Sequence, residues 1–195
     1  MNRKLARLSL TLAVALLAGC GTSPKTNFYT LDALTLPGQT TATVAAPYTI
    51  GIGPVTIPDI IDRPQLITRL GSNQVAINEF ERWAEPLQNE IPRLIAGQLR
   101  QLLGAQVSTY PQTTTGKDLI VTLEVQHFES APGDAATIEV LWTLRTTKEG
   151  PAQQGRALIR EPVGGAGYEA LVAAHGRALT KISQEIAAAI RLAKP

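Results

Sequence analysis

Two runs of strict alternation dominate the chain. Leu119, Val121, Leu123 and Val125 alternate with Ile120, Thr122, Glu124 and Gln126. After Ala131-Pro132-Gly133-Asp134, the residues Ala136, Ile138, Val140, Trp142 and Leu144 alternate with Thr137, Glu139, Thr143 and Arg145. A period of two sends each set to its own sheet face, so the runs predict antiparallel neighbours joined by a turn. A second turn, Lys148-Glu149-Gly150-Pro151, leads into Arg156 to Arg160 as a third antiparallel strand. Elsewhere the period becomes helical. Leu87, Ile91, Leu94, Ile95, Leu99, Leu102 and Leu103 predict a helix that Gly104 ends, starting near Ile91 or kinked at Pro92. Tyr168, Leu171, Val172, His175, Leu179, Ile182, Ile186 and Ile190 form the stripe of a closing helix over about Tyr168 to Leu192.

Shorter strands come earlier. Asn27 to Leu31 reads as one, followed by an aperiodic loop from Thr35 to Pro47. Tyr48 to Ile52 continues through Gly53-Pro54 into Val55 to Ile57, where glycine suggests a bulge or a close backbone approach. Gln65 to Leu70 and Gln74 to Ile77 flank Gly71-Ser72-Asn73 and predict a hairpin. Arg82 to Pro86 leads into the helix, and Gln106 to Tyr110 is a strand followed by a Thr-rich loop. A right-handed crossover sets the Gln106 strand parallel to the Ile50 strand. The expected fold is α+β in a single domain: one mixed, mainly antiparallel sheet covered by two long helices.

The first twenty residues follow a different logic. Arg3, Lys4 and Arg7 precede an apolar run from Leu8 to Leu17, the length of a signal-peptide core and too short to span a bilayer. The run ends in Leu17-Ala18-Gly19-Cys20, which resembles the bacterial lipobox. Cys20 is the single cysteine of the 195 residues, which excludes an internal disulfide. The alternatives, an ordinary secretory leader or a buried thiol, leave that lone cysteine unexplained. The lipobox implies that Cys20 carries diacylglycerol and acyl chains and needs no other cofactor. Two or more such chains hold a protein firmly on a membrane. Gly21 rather than Asp follows Cys20, which by resemblance to lipoprotein sorting favours the outer membrane, at its periplasmic face. The chain then divides into a leader (1–19), a tether (20–26) and a periplasmic domain (27–195).

Removing the leader changes the electrostatics. Of 18 basic residues three are lost with it, leaving 15 against 16 acidic and a net charge of −1. That balance gives no case for nucleic acid or for a polybasic membrane patch. Catalytic chemistry is equally thin. The two histidines, His127 and His175, lack metal-ligand spacing to a second ligand and read as structural. No nucleophile elbow or phosphate-cradling loop occurs, and Gly164-Gly165-Ala166-Gly167 reads as a helix lead-in. The expectation is no catalytic residue, no metal and no enzyme activity.

The remaining distinctive stretches run from Pro58 to Arg69 and from Phe80 to Leu87. They combine a rigid Asp62-Arg63-Pro64 turn with Gln65, Arg69, Arg82 and Trp83. Arg and Trp are common interface anchors, so these seven residues are the candidate partner-binding set. The structural alternative has Asp62 capping the turn, Arg63 solvated and Trp83 stapling the helix start onto the sheet. Together with Phe28 to Leu31, Ile52 to Val55 and the closing helix, these stretches resemble the ABC-type transport auxiliary lipoproteins, the family of the paraquat-inducible lipoprotein PqiC. Ile60-Ile61 depart from a frequent Tyr-Leu there, so a contact made by that aromatic is altered. The resemblance implies an anticodon-binding-like layering and a non-enzymatic role beside an MCE-domain tunnel protein (PqiB-like) with its inner-membrane partner. Such proteins move lipid across the periplasm, and a homo-oligomeric ring would suit a ring-shaped partner. A lipid-carrying shuttle and an assembly lipoprotein (pilotin) of another envelope machine are the other readings.

Overall fold

A computed structural model describes residues 24–31, 46–110, 116, 118–146 and 151–193. The alternating runs form the strands they predict. β6 (Leu119–Ala131) and β7 (Ala135–Thr146) pair antiparallel, and β8 (Gln153–Pro162) pairs antiparallel with β7. Gly133 turns the chain between the first two at φ +74°, a left-handed conformation that glycine adopts without strain.

β2 (Thr49–Thr56) lies between β6 and β5 (Gln106–Thr109), parallel to both. The expected parallel relation between the Ile50 and Gln106 strands therefore holds, and the sheet order is β5-β2-β6-β7-β8. Register shifts between Ile52 and Val55, and a Cβ on Gly53 would lie 3.0 Å from Thr122 Cγ2. The glycine serves both a bulge and a close approach.

Helix α1 (Leu87–Leu103) follows Pro86 directly and continues through Pro92, so the late start near Ile91 does not occur. Gly104 at φ 65° closes it, its N–H bonding the Arg100 carbonyl at 2.9 Å. Helix α2 (Gly167–Ala193) buries the predicted stripe, with Leu171, His175, Leu179, Ile182, Ile186 and Ile190 inaccessible. Both helices cover one face of the five-stranded sheet, where Ile50, Ile52, Leu119, Val121, Ile138 and Val140 are also inaccessible. The opposite face carries exposed Thr122, Glu124, Gln126, Leu141, Arg156 and Leu158.

The fold is α+β in one domain, but the expected single sheet is two. β3 (Gln65–Gly71) and β4 (Gln74–Trp83) form the predicted hairpin, and β1 (Asn27–Tyr29) pairs parallel with the end of β4. The order of this second sheet is β1-β4-β3. The reason is topological: β2 is already flanked by β5 and β6, so a hairpin inside the crossover cannot enter that ladder and closes on β1 instead. This pairing also carries β4 to Trp83, past the Ile77 at which the sequence pattern ends. No helix among the described residues is long and apolar enough to cross a membrane.

Candidate functional site

Cys20 lies outside the described residues, as do most of the Thr35–Pro47 loop, the Thr-rich loop after Tyr110 and most of the Lys148–Pro151 turn. The other candidates lie on or beside the hairpin.

The turn before β3 is pinned from inside. Ile61 is buried and its N–H donates to the Pro58 carbonyl at 3.0 Å, while the Asp62 N–H reaches the Asp59 carbonyl at 3.3 Å. The Pro64 carbonyl accepts from the Trp83 N–H at 2.7 Å, and Gln65 sits opposite Arg82 in the ladder. The structure thus brings Pro64, Gln65 and Arg82 together at the hairpin base, beside Asp62 and Arg63. Asp62, Arg63 and Pro64 are all exposed. Neither charged side chain has a hydrogen-bond or ion-pair partner among the described residues. Ile60 is half-exposed next to them.

Two members of the predicted set do not belong to that surface. Trp83 is only 4% exposed and contacts Phe128 and His175 edge-on, with ring centroids 6.0 and 6.2 Å away. It staples the two sheets together and offers no face to a partner. Arg69 stands four residues along β3 from Gln65, roughly 13 Å. Its guanidinium pairs with Glu129 on β6 and donates to the carbonyls of Gly71 and Ser72 at 3.0 Å. Partial burial works to raise the Glu129 pKa, but Arg69 and His127 outweigh it and hold the carboxyl below its ordinary range. Arg82 stays at the base, where its Nε donates to the Glu79 carbonyl at 2.9 Å.

Both histidines have structural settings. His175 is fully buried, stacked on Phe128 at 4.2 Å and hydrogen-bonded through Nε2 to Ser130 Oγ at 2.8 Å. Burial pushes its pKa down to about 3, so the ring is neutral. His127 is half-exposed and lies 3.2 Å from Glu129. At the edge of the small sheet, the Tyr29 phenol donates to Glu81 at 2.5 Å, and burial together with that carboxylate pushes its pKa up to about 12.

Between the two sheets lies a mostly apolar cleft of about 190 Å³, lined by Ile60, Ile67, Val75 and Phe128 with Arg69 and Glu129 at its polar wall. Drug-sized ligands occupy roughly 300–1,000 Å³, so this cleft takes a side chain or one short apolar group and not a whole diacyl lipid. Among the described residues no group of His, Cys, Asp and Glu is placed to hold a metal ion.

This arrangement recurs in solved structures. A crystal structure of an uncharacterized protein matches with a TM-score of 0.71 at 17% identity, covering 86% of this chain and 99% of its own. Protein XCC0632 from Xanthomonas campestris, of family DUF330, matches with a TM-score of 0.60 at 18% identity, covering 86% and 89%. Likeness at such identity shows the fold alone. No curated protein matches the chain. The sequence profile of one family matches residues 29–187, from β1 through most of α2. The chain belongs to the ABC-type transport auxiliary lipoprotein component family.

Proposed function

We propose that this protein is the non-enzymatic, outer-membrane-anchored auxiliary lipoprotein of an MCE-type lipid transport system, where it docks the periplasmic tunnel. Family membership supports a lipoprotein that serves a transporter. The lipobox-like Leu17-Ala18-Gly19-Cys20, followed by Gly21, supports a lipid anchor at the outer membrane. The observation that carries the docking role is the Asp62-Arg63-Pro64 turn. Its backbone is fixed by Ile61 and Trp83 while its two charges point to water without an internal partner. A rigid, solvated, bipolar turn lowers the ordering cost of an encounter and suits a charged counterpart.

Co-purification from detergent-solubilised envelopes tests the proposal. Wild-type protein should bring down an MCE-domain protein with its inner-membrane partner, and Arg63→Glu should lose it by tenfold or more at unchanged melting temperature. Recovery by Arg63→Glu equal to wild type rejects the assignment of the turn. A secretin in place of the MCE-domain protein rejects the transport reading.

A further inference from the structure

The direction of β1 bears on which end of the domain lies nearest the anchor. β1 is parallel to β4, with Asn27 beside Glu81 and Tyr29 beside Trp83. At Asn27 the strand, traced toward its N-terminus, points along β4 from Glu81 toward Gln74 at the hairpin tip. Cys20 precedes Asn27 by seven residues, and Gln74 precedes Glu81 by seven. At ~3.3 Å per extended residue both distances are about 23 Å, so the lipid-bearing cysteine reaches no farther than the neighbourhood of the tip.

The tip is unusually apolar for a solvated turn. Leu70 is 62% exposed, and Val75 and Ile77 are 44% and 48% exposed. Val75 and Ile77 share one face of the hairpin with their cross-strand partners Arg69 and Ile67, the face that borders the cleft between the sheets, whereas Leu70 has the strand parity of Leu66 and Thr68 on the other. A flat protein partner covers one face of a two-stranded arm. A fluid apolar layer covers both. From Arg69 to Asn78 there is no acidic residue, and Arg69, the one charge, is already neutralised by Glu129. The same holds from Gly21 to Asn27, where Lys25 is the only charge. Nothing on either strand of approach repels a phospholipid surface.

We infer that the β3–β4 tip, through Leu70, Val75 and Ile77, inserts into the headgroup–acyl boundary of the membrane that holds Cys20. It fixes the domain's tilt, so that the Asp62-Arg63 turn, a strand length away at the hairpin base, faces the periplasm. The inference rests on the lipoprotein reading and adds an orientation to it.

Because the native thiol is blocked by lipid, a cysteine introduced elsewhere is unique. Acylated full-length Leu70→Cys and Leu158→Cys proteins, each labelled with bimane, are reconstituted into vesicles of phosphatidylethanolamine with a minor share of phosphatidylglycerol. Some of the lipid carries a nitroxide near the headgroup end of its acyl chain. Leu158 is an exposed position on β8, in the other sheet. Quenching at position 70 should exceed that at position 158 by threefold or more, and Val75→Asp should reduce it. Equal quenching in protein that sediments with the vesicles overturns the tip insertion while leaving the anchor intact. Label–label contact between copies at position 70, without lipid quenching, overturns it in favour of self-association. Protein that stays in the supernatant overturns the anchor as well.

Discussion

The five-stranded sheet carries two helices on one face, and its central positions Ile50, Leu119, Val121, Ile138 and Val140 are wholly inaccessible. The three-stranded sheet has less than half as many strand residues, yet it exposes Phe28, Leu70, Val75, Ile77 and Phe80. Among the described residues, the larger sheet exposes only Leu141 and Leu158 of that size. The small sheet meets α2 near its base, through Trp83 against His175 and Tyr168 bonded to Asn78, and leaves its tip uncovered; apolar surface of that kind is what interaction sites use. On the proposed function, one region makes the domain stable and the other meets its surroundings.

Substitutions can break that division. The largest expected effect is at the joint between the sheets, where Trp83→Ala should cost about 3–5 kcal/mol in denaturant unfolding, because it empties the space against Phe128 and His175. A loss below about 1 kcal/mol would mean that the sheets are stable independently.

Next comes the edge of the large sheet. Gly155 lies under the Trp142 ring, where a Cβ would stand 2.1 Å from Cζ2. Gly155→Val should displace the ring and cost about 1–3 kcal/mol, seen as a lowered melting temperature.

A smaller effect depends on pH. The unfolded state protonates His175 near its ordinary 6.5, but the folded state resists protonation down to about 3. The unfolded chain therefore binds more protons in that window. The contribution is fully present above 6.5 and is lost as pH falls, by at most about 1.4 kcal/mol per pH unit. His175→Gln keeps a hydrogen-bonding group for Ser130 and should flatten the dependence between pH 6 and 4, measured by urea unfolding at each pH; an unchanged slope would assign the acid loss to other groups.

The smallest effects belong to the small sheet's surface. Arg63→Glu and Val75→Ser should each change stability by less than about 0.5 kcal/mol, and calorimetry that finds more than 1 kcal/mol would return these residues to a structural role.

Much of this division can be read in the sequence. The β6–β7 alternation, both helical stripes, Gly104 as the stop and the parallel crossover follow from period and turn chemistry, which are local. What escapes is long-range. β1 is three residues long and mostly exposed, so no periodicity says that it pairs with Glu81–Trp83 rather than with the main sheet. Register slips between Gln65 and Leu66, and that bulge helps to disguise Trp83 among charged neighbours as a surface residue. Its true neighbours, Phe128 and His175, are 45 and 92 positions away. Arg69 likewise reads as a free cation until Glu129, 60 positions later, is seen beside it. The Asp62-Arg63-Pro64 turn is legible because prolines and short-range backbone hydrogen bonds from Ile61 and Asp62 fix it locally.

The most direct test of the docking role is site-specific photocrosslinking in intact cells, with a benzophenone side chain placed at Arg63 or at Leu158. The account expects an MCE-domain protein captured from position 63 and little from position 158. Capture from 158 with none from 63 would put the partner on the large sheet and contradict it.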